Sequence, residues 1–384
     1  MLILILFKTP KKLGVFYFKF ALMITTFFED ILNKVESTDP VEYSYNRNYI
    51  DGSVSRLSPY ISRGVISTRF VYEKLISKGY DFAKIEKFIQ ELCWRDYWQL
   101  IWIERGDEIN KDLKQEQTNV ENYKMPVSIL NAKTGIDAID QSIDELYETG
   151  YMHNHLRMYV SSVTCNIGRS HWKNPAKWMY YYLLDADWAS NALSWQWVAG
   201  SNSNRKYYAN QENINKFCYT KQKNTFLDVE YSEFEDMQKP QSLFETIEFS
   251  SSTVLPKNKS LDLDVNLPTL VYNFYNLDPL WRKDLNSNRI LLLEPDIFKK
   301  YPVSSKTIEF VIELSKNISN IQVYTGSFAE LKNEYKLQNI IFKEHPLNKH
   351  YEGEKDEREW MFYTDNMKSF FNYWKKCRKF LLSN

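Results

Sequence analysis

The spacing of apolar residues separates a helical stretch of chain from a strand-bearing one. Phe88, Leu92 and Cys93 recur at three- and four-residue steps inside Phe82–Arg105. That period predicts one long helix, and Gly106 is placed to stop it. Trp94, Trp98 and Trp102 follow at i, i+4 and i+8, so they share a face. Ile136, Ile139, Ile143, Leu146 and Tyr147 mark a second amphipathic helix, closed by Gly150. Helical patterns continue through 151–167 and 175–184, and an earlier one covers residues 24–37. Residues 107–128 read as a polar loop. Strand signals are scarce before residue 220.

The texture changes after Phe226. Residues 228–266 are rich in Ser, Asp, Glu and Pro, the composition of a linker with little packing capacity. Short apolar runs follow at Leu270–Tyr275, Ile290–Leu293, Ile321–Tyr324 and Asn339–Phe342, with a helical pattern at Lys306–Lys316 between the middle two. Strands alternating with a helix predict a βαβ-type unit with a parallel sheet. The expected organisation is an arm over 1–22, a mostly α domain over 23–226, a linker over 227–267 and a small α/β domain over 268–384.

Composition narrows the chemistry. The 384 residues carry 49 basic and 49 acidic side chains, so a protein held on nucleic acid by bulk charge is excluded and a local basic groove is not. Charged residues at 26% and hydrophobic residues at 43% exclude wholesale disorder. The unusual quantity is aromatic content, 16%, and eight of the 11 Trp fall between positions 94 and 197. Cys93, Cys165, Cys218 and Cys377 show no CxxC spacing and read as reduced thiols of a cytoplasmic protein. The apolar N-terminus is interrupted by Lys8, Lys11, Lys12 and Lys19, which suits neither a membrane span nor a signal peptide. It is read as a disposable arm or an over-extended start, with no membrane association. No dinucleotide fingerprint or phosphate loop is present, and His153 and His155 are too close in sequence to share a helix face, so no metal site is expected.

Four constellations remain. Ser53, Ser55 and Ser58 gather hydroxyls just before a helix expected near Pro59, as an anion site or as a plain N-cap. Glu91, Trp94 and Arg95 share a helical turn, as a functional cluster or as a core stripe with a surface ion pair. Asn154 and Arg157 lie three apart on one side of a helix, which is also how a solvated face looks. Asp185, Asp187, Asn191, Trp195 and Trp197 pack two acids, an amide and two indoles into 13 residues. Large flat ligands, a flavin or an unpaired base, would account for such a concentration of indoles.

In their order and spacing, the segments SRLSPY with SRGVIS, ELCWRDYW, YMHNHLRM and DADWASNALSWQW resemble the flavin-binding catalytic domain of the DNA photolyase/cryptochrome family over roughly residues 24–220. The resemblance implies a mostly α FAD-binding photolyase-like domain followed by a small α/β C-terminal domain. It implies FAD held by Tyr43, Ser55, Arg56, Leu57, Ser58, Arg95, Asn154, Asp185 and Asp187, with Asn191 facing flavin N5. It implies damaged DNA as the partner, bound as a flipped pyrimidine dimer by a monomeric protein. Arg47, Glu91, Trp94, Arg157, Met158 and Trp197 would meet the DNA, with Trp94 and Trp197 as pocket walls and Glu91 as the carboxyl on the dimer. The implied reaction is light-driven electron transfer from reduced FAD, which splits the dimer without net redox change. Trp195 and Trp172 would be the inner members of an electron relay, although Trp195 also reads as a core residue. The relay's third member has no counterpart, for loop 107–128 contains Tyr123 but no Trp. The alternative is a cryptochrome-like FAD-binding blue-light sensor without repair activity. Tyr151 and His155 depart from the family's common Trp and Arg, and the segment after Trp197 departs from its usual ending. The family's α/β antenna domain normally precedes the flavin domain. Here the α/β unit after 268 is either an antenna-like domain at the other end or an unrelated module.

Overall fold

The computed structural model describes residues 24–365 and 367–383. The expectations for the 1–22 arm lie outside them.

The helical unit runs through α1 (Phe28–Glu36), α2 (Pro40–Asn46), α3 (Ser58–Ser62), α4 (Thr68–Ser77), α5 (Phe82–Arg105), α6 (Val127–Leu130), α7 (Asp137–Thr149), α8 (Asn154–Ser162), α9 (Lys173–Tyr182), α10 (Trp188–Ala199) and α11 (Gln211–Cys218). Helix α5 has the ends expected from sequence, for local reasons. The Asp81 side chain accepts from the Ala83 N–H, and Gly106 turns the chain out at φ +55°. Helix α7 stops at Gly150, whose φ of +72° favours glycine. Helix α8 widens into a π turn over Val163–Ile167. Among the described residues, no helix is long and apolar enough to cross a membrane.

The expected linker is packed. Leu227, Phe234 and Leu243 are buried, and β2 (Thr246–Ile247) pairs antiparallel with β1 (Met125–Pro126). Its polar composition hid a few apolar anchors spaced far enough apart to hold it along the helices.

Strands β3 (Thr269–Tyr272), β4 (Asn288–Leu293), β5 (Ile321–Thr325), β6 (Ile340–Lys343) and β7 (Glu354–Asp356) form a wholly parallel sheet in the order β5-β4-β3-β6-β7. Helices α12 (Pro295–Lys300), α13 (Ser305–Ser315) and α14 (Phe328–Glu334) connect them. Alternate strand residues serve opposite faces, as the period of two requires. Leu270, Tyr272, Leu291, Leu293 and Ile341 join the core shared with the helical unit. Val271, Ile290, Leu292, Ile340 and Phe342 join a second core with Phe328 and Leu331 of α14. The sheet is thus covered on both sides, as all-parallel sheets are.

Two seams tie this unit to the helices. At the first, Arg63 is fully buried, its guanidinium 3.6 Å from the Phe274 ring centroid, and it donates to the Ala186 carbonyl. The next residue, Gly64, has φ +63°, and a Cβ there would stand 2.4 Å from the Tyr275 carbonyl oxygen. The second seam is α15 (Phe370–Ser383), which lies against α5. Phe370 stacks on Trp94 with ring centroids 3.5 Å apart and planes within 8°. The Cys93 and Cys377 sulfurs are 3.4 Å apart, both thiols free and buried. Nearby, buried Asp96 accepts from the Thr68 hydroxyl at 2.8 Å and from the Met361 N–H at 2.9 Å.

Two outcomes follow from these seams. Gly64→Ala should lower stability by about 2 kcal/mol or more through left-handed backbone strain and the clash with Tyr275, measurable by urea unfolding. Burial raises the Asp96 pKa from 3.8 to about 6, against the opposing pull of Met361 and Thr68. The folded state therefore holds this proton more tightly than the unfolded chain. The stabilisation is full below pH 4 and is lost as pH rises through about 6. Unfolding curves at pH 4 and pH 7 should show Asp96→Asn gaining about 2–3 kcal/mol on the parent across that interval. A constant difference between the two proteins would refute the assignment.

Candidate functional site

The hydroxyl-rich turn delivers its residues differently from either sequence reading. Helix α3 has only five residues, its N-cap is Leu57, and no side chain caps it. Ser53 N–H is taken by Asn46, and Ser55 Oγ accepts from Leu57 N–H at 3.4 Å. Arg56 sits at φ +52° with its guanidinium 4.6 Å from the Tyr151 ring centroid. Tyr151, the departure from the family's Trp, therefore serves as a platform for a cation. Leu57 is buried, and Ser58 reaches Asp185.

Asp185 and Asp187 are buried on the approach to α10. Arg157 Nη1 donates to Asp185 Oδ2 at 3.1 Å. Burial alone would raise the Asp185 pKa, but Arg157, then Arg95 and the Ser58 hydroxyl, outweigh it and hold the carboxyl below its ordinary value. Asp187 caps α10 by accepting from Ser190 N–H at 2.9 Å. It also accepts from the Gln99 amide at 2.8 Å and faces Arg95 at 3.8 Å. Arg95 donates in addition to the Ser62 hydroxyl. The Asn191 amide donates to the Ala176 carbonyl at 2.8 Å, and Asn154 is exposed at the start of α8.

A second cluster adjoins. Glu91 pairs with Lys87 at 2.8 Å and with Arg47 at 3.8 Å. Tyr43 lies edge-on to Phe88 at 4.9 Å, and burial, reinforced by Glu91, raises its pKa. Met158 is half-buried on α8. Trp172 and Trp195 are buried, whereas Trp197 is 38% exposed. Trp94 has one face against Phe370 and lies tilted by 36° to the Trp98 ring, with centroids 4.9 Å apart. Trp94 and Trp197 are not in ring contact.

Sequence reasoning missed Gln99, Ser62 and Arg63 on the carboxylate side and Phe370 on the tryptophan side. Gln99 had a signal, since it lies one helical turn beyond Arg95 on the same face. A cavity of about 150 Å³ opens between Ser62, Arg95 and Asp187 of the helical unit and Tyr275, Lys343 and Arg358 of the α/β unit. Neither Ser55–Ser58 nor Asn154, Asp185 or Asn191 lines it.

The donor and acceptor set fits a flavin dinucleotide. Two buried carboxylates, the guanidinium groups of Arg95 and Arg157, and hydroxyls meet in one place. Among them Asp185 Oδ1, Arg95 Nε and Ser190 Oγ are buried without hydrogen-bond partners. Such atoms call for polar groups of the kind a ribityl chain, a diphosphate and a ring edge supply.

Residues 88–231 match the model of the FAD binding domain of DNA photolyase. The match holds Arg95, Asn154, Asp185, Asp187 and Asn191, and begins downstream of Tyr43 and the Ser55–Ser58 turn. The deoxyribodipyrimidine photo-lyase of Alkalihalophilus pseudofirmus is 29% identical over 41% of this chain and 34% of its own length. Cryptochrome DASH of Synechocystis sp. is 30% identical over the same shares, 41% and 34%. The chain thus spans about a third of the length of these curated relatives. Among solved structures, a bacterial class III photolyase from Agrobacterium tumefaciens aligns with a TM-score of 0.45 and 21% identity, over 59% of this chain and 57% of that one. Residues 88–231 therefore carry a FAD-binding domain of the DNA photolyase kind, and the cofactor of that domain is FAD.

Proposed function

We propose that this chain is a photolyase-type enzyme that uses light to open pyrimidine dimers in damaged DNA. The observation that carries the reading is the Arg157–Asp185 ion pair, which joins a residue assigned to the DNA to a residue assigned to the flavin. It puts the two sets of side chains in one neighbourhood.

FAD, when bound in its reduced form, supplies the light-absorbing group and the single electron that opens the dimer and is then returned. The chain's own residues do the rest. Asp185 and Asp187, oriented by Arg157, Arg95 and Gln99, hold the ribityl and ring edges. Ser55, Arg56, Leu57, Ser58 and Tyr43 surround the diphosphate, and Asn154 borders the cofactor. Asn191, anchored through one amide N–H on Ala176, keeps its carbonyl oxygen and its other N–H for N5 of the ring. Which of the two faces the ring biases the redox state that persists.

Arg47 and Arg157 meet the DNA backbone, and the half-buried Met158 lines the dimer pocket. Trp197, with more than a third of its surface in solvent, offers a face on which a flipped base can stack, at roughly 1–3 kcal/mol per base. That is of the order of the unstacking cost of extruding a damaged nucleotide. Trp94 is the second wall, its plane set by Phe370. Glu91, held by two cations on the same surface, exchanges one of them for a hydrogen bond to the dimer. The protein works as a monomer in the cytoplasm.

One observation favours the second reading, a blue-light sensor. The Phe370 ring of the last described helix already occupies one face of Trp94.

Irradiation of the flavin-loaded protein with dimer-containing DNA, single- and double-stranded, separates the two. Light-dependent loss of dimers is the expected result, and full persistence of dimers with reduced flavin bound would leave the sensor reading. Glu91→Ala should slow repair by about tenfold or more and leave the flavin spectrum unchanged. Loss of flavin from that variant would show that Glu91 has been given the wrong role.

A further inference from the structure

The chain departs from the family's usual ending after Trp197, and helix α11 stands in that segment, firmly tied. The Tyr159 hydroxyl of α8 donates to Asn213 at 2.7 Å, and Ile50 N–H donates to the Phe217 carbonyl at 2.9 Å. The turn after α11 is fixed as well. Asn215 accepts from the Thr220 hydroxyl at 2.7 Å and donates to the Gln222 carbonyl at 2.8 Å.

This turn completes a ladder of rings. His155 of α8 stacks on Phe217 with centroids 4.8 Å apart. Phe217 meets Tyr49 edge-on at 5.0 Å, and Tyr49 stacks on Tyr219 at 5.6 Å with planes at 22°. Tyr219 ends α11 at φ +55°, a conformation that glycine would adopt more readily. It is 61% exposed with one face on Tyr49, so its outer face lies in solvent. The Asp51 carboxylate holds its hydroxyl. A flat face fixed in this way is ready for a second ring, with little ordering left to do on binding. The inner end of the ladder adjoins the proposed dimer pocket. Met158 follows His155 by three residues on the same side of α8, and Arg47 comes two residues before Tyr49.

Charge accompanies the rings. His155 stands where the family commonly has Arg. Burial, aided by Arg47, lowers its pKa to about 4, so it is neutral at pH 7. Cations stand at the outer end instead. Lys216 lies 5.3 Å from the Phe217 centroid, and Lys221 and Lys223 follow Tyr219. All three are exposed, and among the described residues none is paired with a carboxylate. Stacking faces interleaved with free cations suit a nucleic-acid strand whose bases are unpaired, because a duplex keeps its base faces covered.

We propose that the outer face of Tyr219 takes an unpaired base of the strand that carries the lesion, with Lys216, Lys221 and Lys223 on its phosphates. The inference rests on the DNA reading above. It adds to the dimer pocket a second stacking point, set off from it by the length of the ladder. Two points on one strand fix its direction across the protein.

The test uses the full chain loaded with FAD, in the dark, and a single-stranded oligonucleotide that contains one thymine dimer. 2-Aminopurine, whose fluorescence falls on stacking, is placed in turn at successive positions on either side of the dimer. The parent should quench it on one side. Tyr219→Ala should abolish that quenching and weaken binding about 5–100-fold. Tyr219→Phe, which keeps the ring, should bind within about twofold of the parent. Lys221→Gln should lower the slope of log affinity against log salt by about 0.7. All variants should carry the parent's FAD absorption. With the same oligonucleotide annealed to its complement, Tyr219→Ala should cost less than about twofold. No quenching by the parent, quenching unchanged in Tyr219→Ala, or equal losses on single strand and duplex would overturn the inference. Light-dependent dimer loss on the same parent sample tests the repair reading separately. Its absence beside Tyr219-dependent quenching would strike that reading and support the stacking site.

Discussion

Two carboxylates, Asp185 and Asp187, are buried two residues apart and cannot be left uncompensated. An unpaired ion in a protein interior costs several kcal/mol, so each must draw cations and donors from the surrounding elements. Asp185 draws Arg157 from α8, and Asp187 draws Arg95 and Gln99 from α5 together with the Ser190 N–H of α10. Helices α5, α8 and α10 are pinned at one point as a result. The network extends further, for Arg358 from beyond the sheet donates to Gln99 at 3.0 Å. The same groups that stabilise the junction are those a flavin would use. The site and the fold therefore have a common origin.

The α/β unit is not an appendage to this arrangement. One face of its sheet belongs to the core of the helical unit, Gly64 lets the backbones approach more closely than a side chain would allow, and Arg63 is buried beside it against Phe274. Helix α15 closes the other seam through Phe370 and Cys377. The aromatic excess divides accordingly. Trp98, Trp102, Trp178 and Trp188 are buried core. Trp172 and Trp195 are buried, Trp172 beneath the His171 and Tyr123 rings, and Trp197 is exposed to solvent.

Much of this was legible in the residues themselves. Helix α5 ends where Asp81 and Gly106 say it should, because caps are local. Strands β3, β4 and β6 follow apolar runs, because burial on both faces leaves a continuous signal, and the half-buried edge strand β5 keeps enough apolar residues to be read as well. Strand β7, Glu-Lys-Asp, carried no such signal, since it is a charged edge whose pairing is set by β6 alone. Helix α15 had a readable period in Phe370, Tyr373, Trp374, Cys377 and Leu381 that went unread. For the site, motif spacing brought out Arg95, Asp185 and Asp187, but the partners that orient them come from tertiary approach. Gln99 is visible only once α5 is known to face α10. Tyr219 is visible only once Tyr49 and Phe217 are seen to join it to α8.

The most direct measurement of the central claim is the visible absorption spectrum of the protein purified in the dark, alongside an Asp185→Ala variant that stays folded. Parent protein should carry one flavin per chain. The variant should bind FAD about 10–100-fold more weakly, the value of a lost charged hydrogen bond. A colourless parent that takes up no added FAD, or a variant that holds FAD as tightly as the parent, would contradict a flavin seated on these carboxylates.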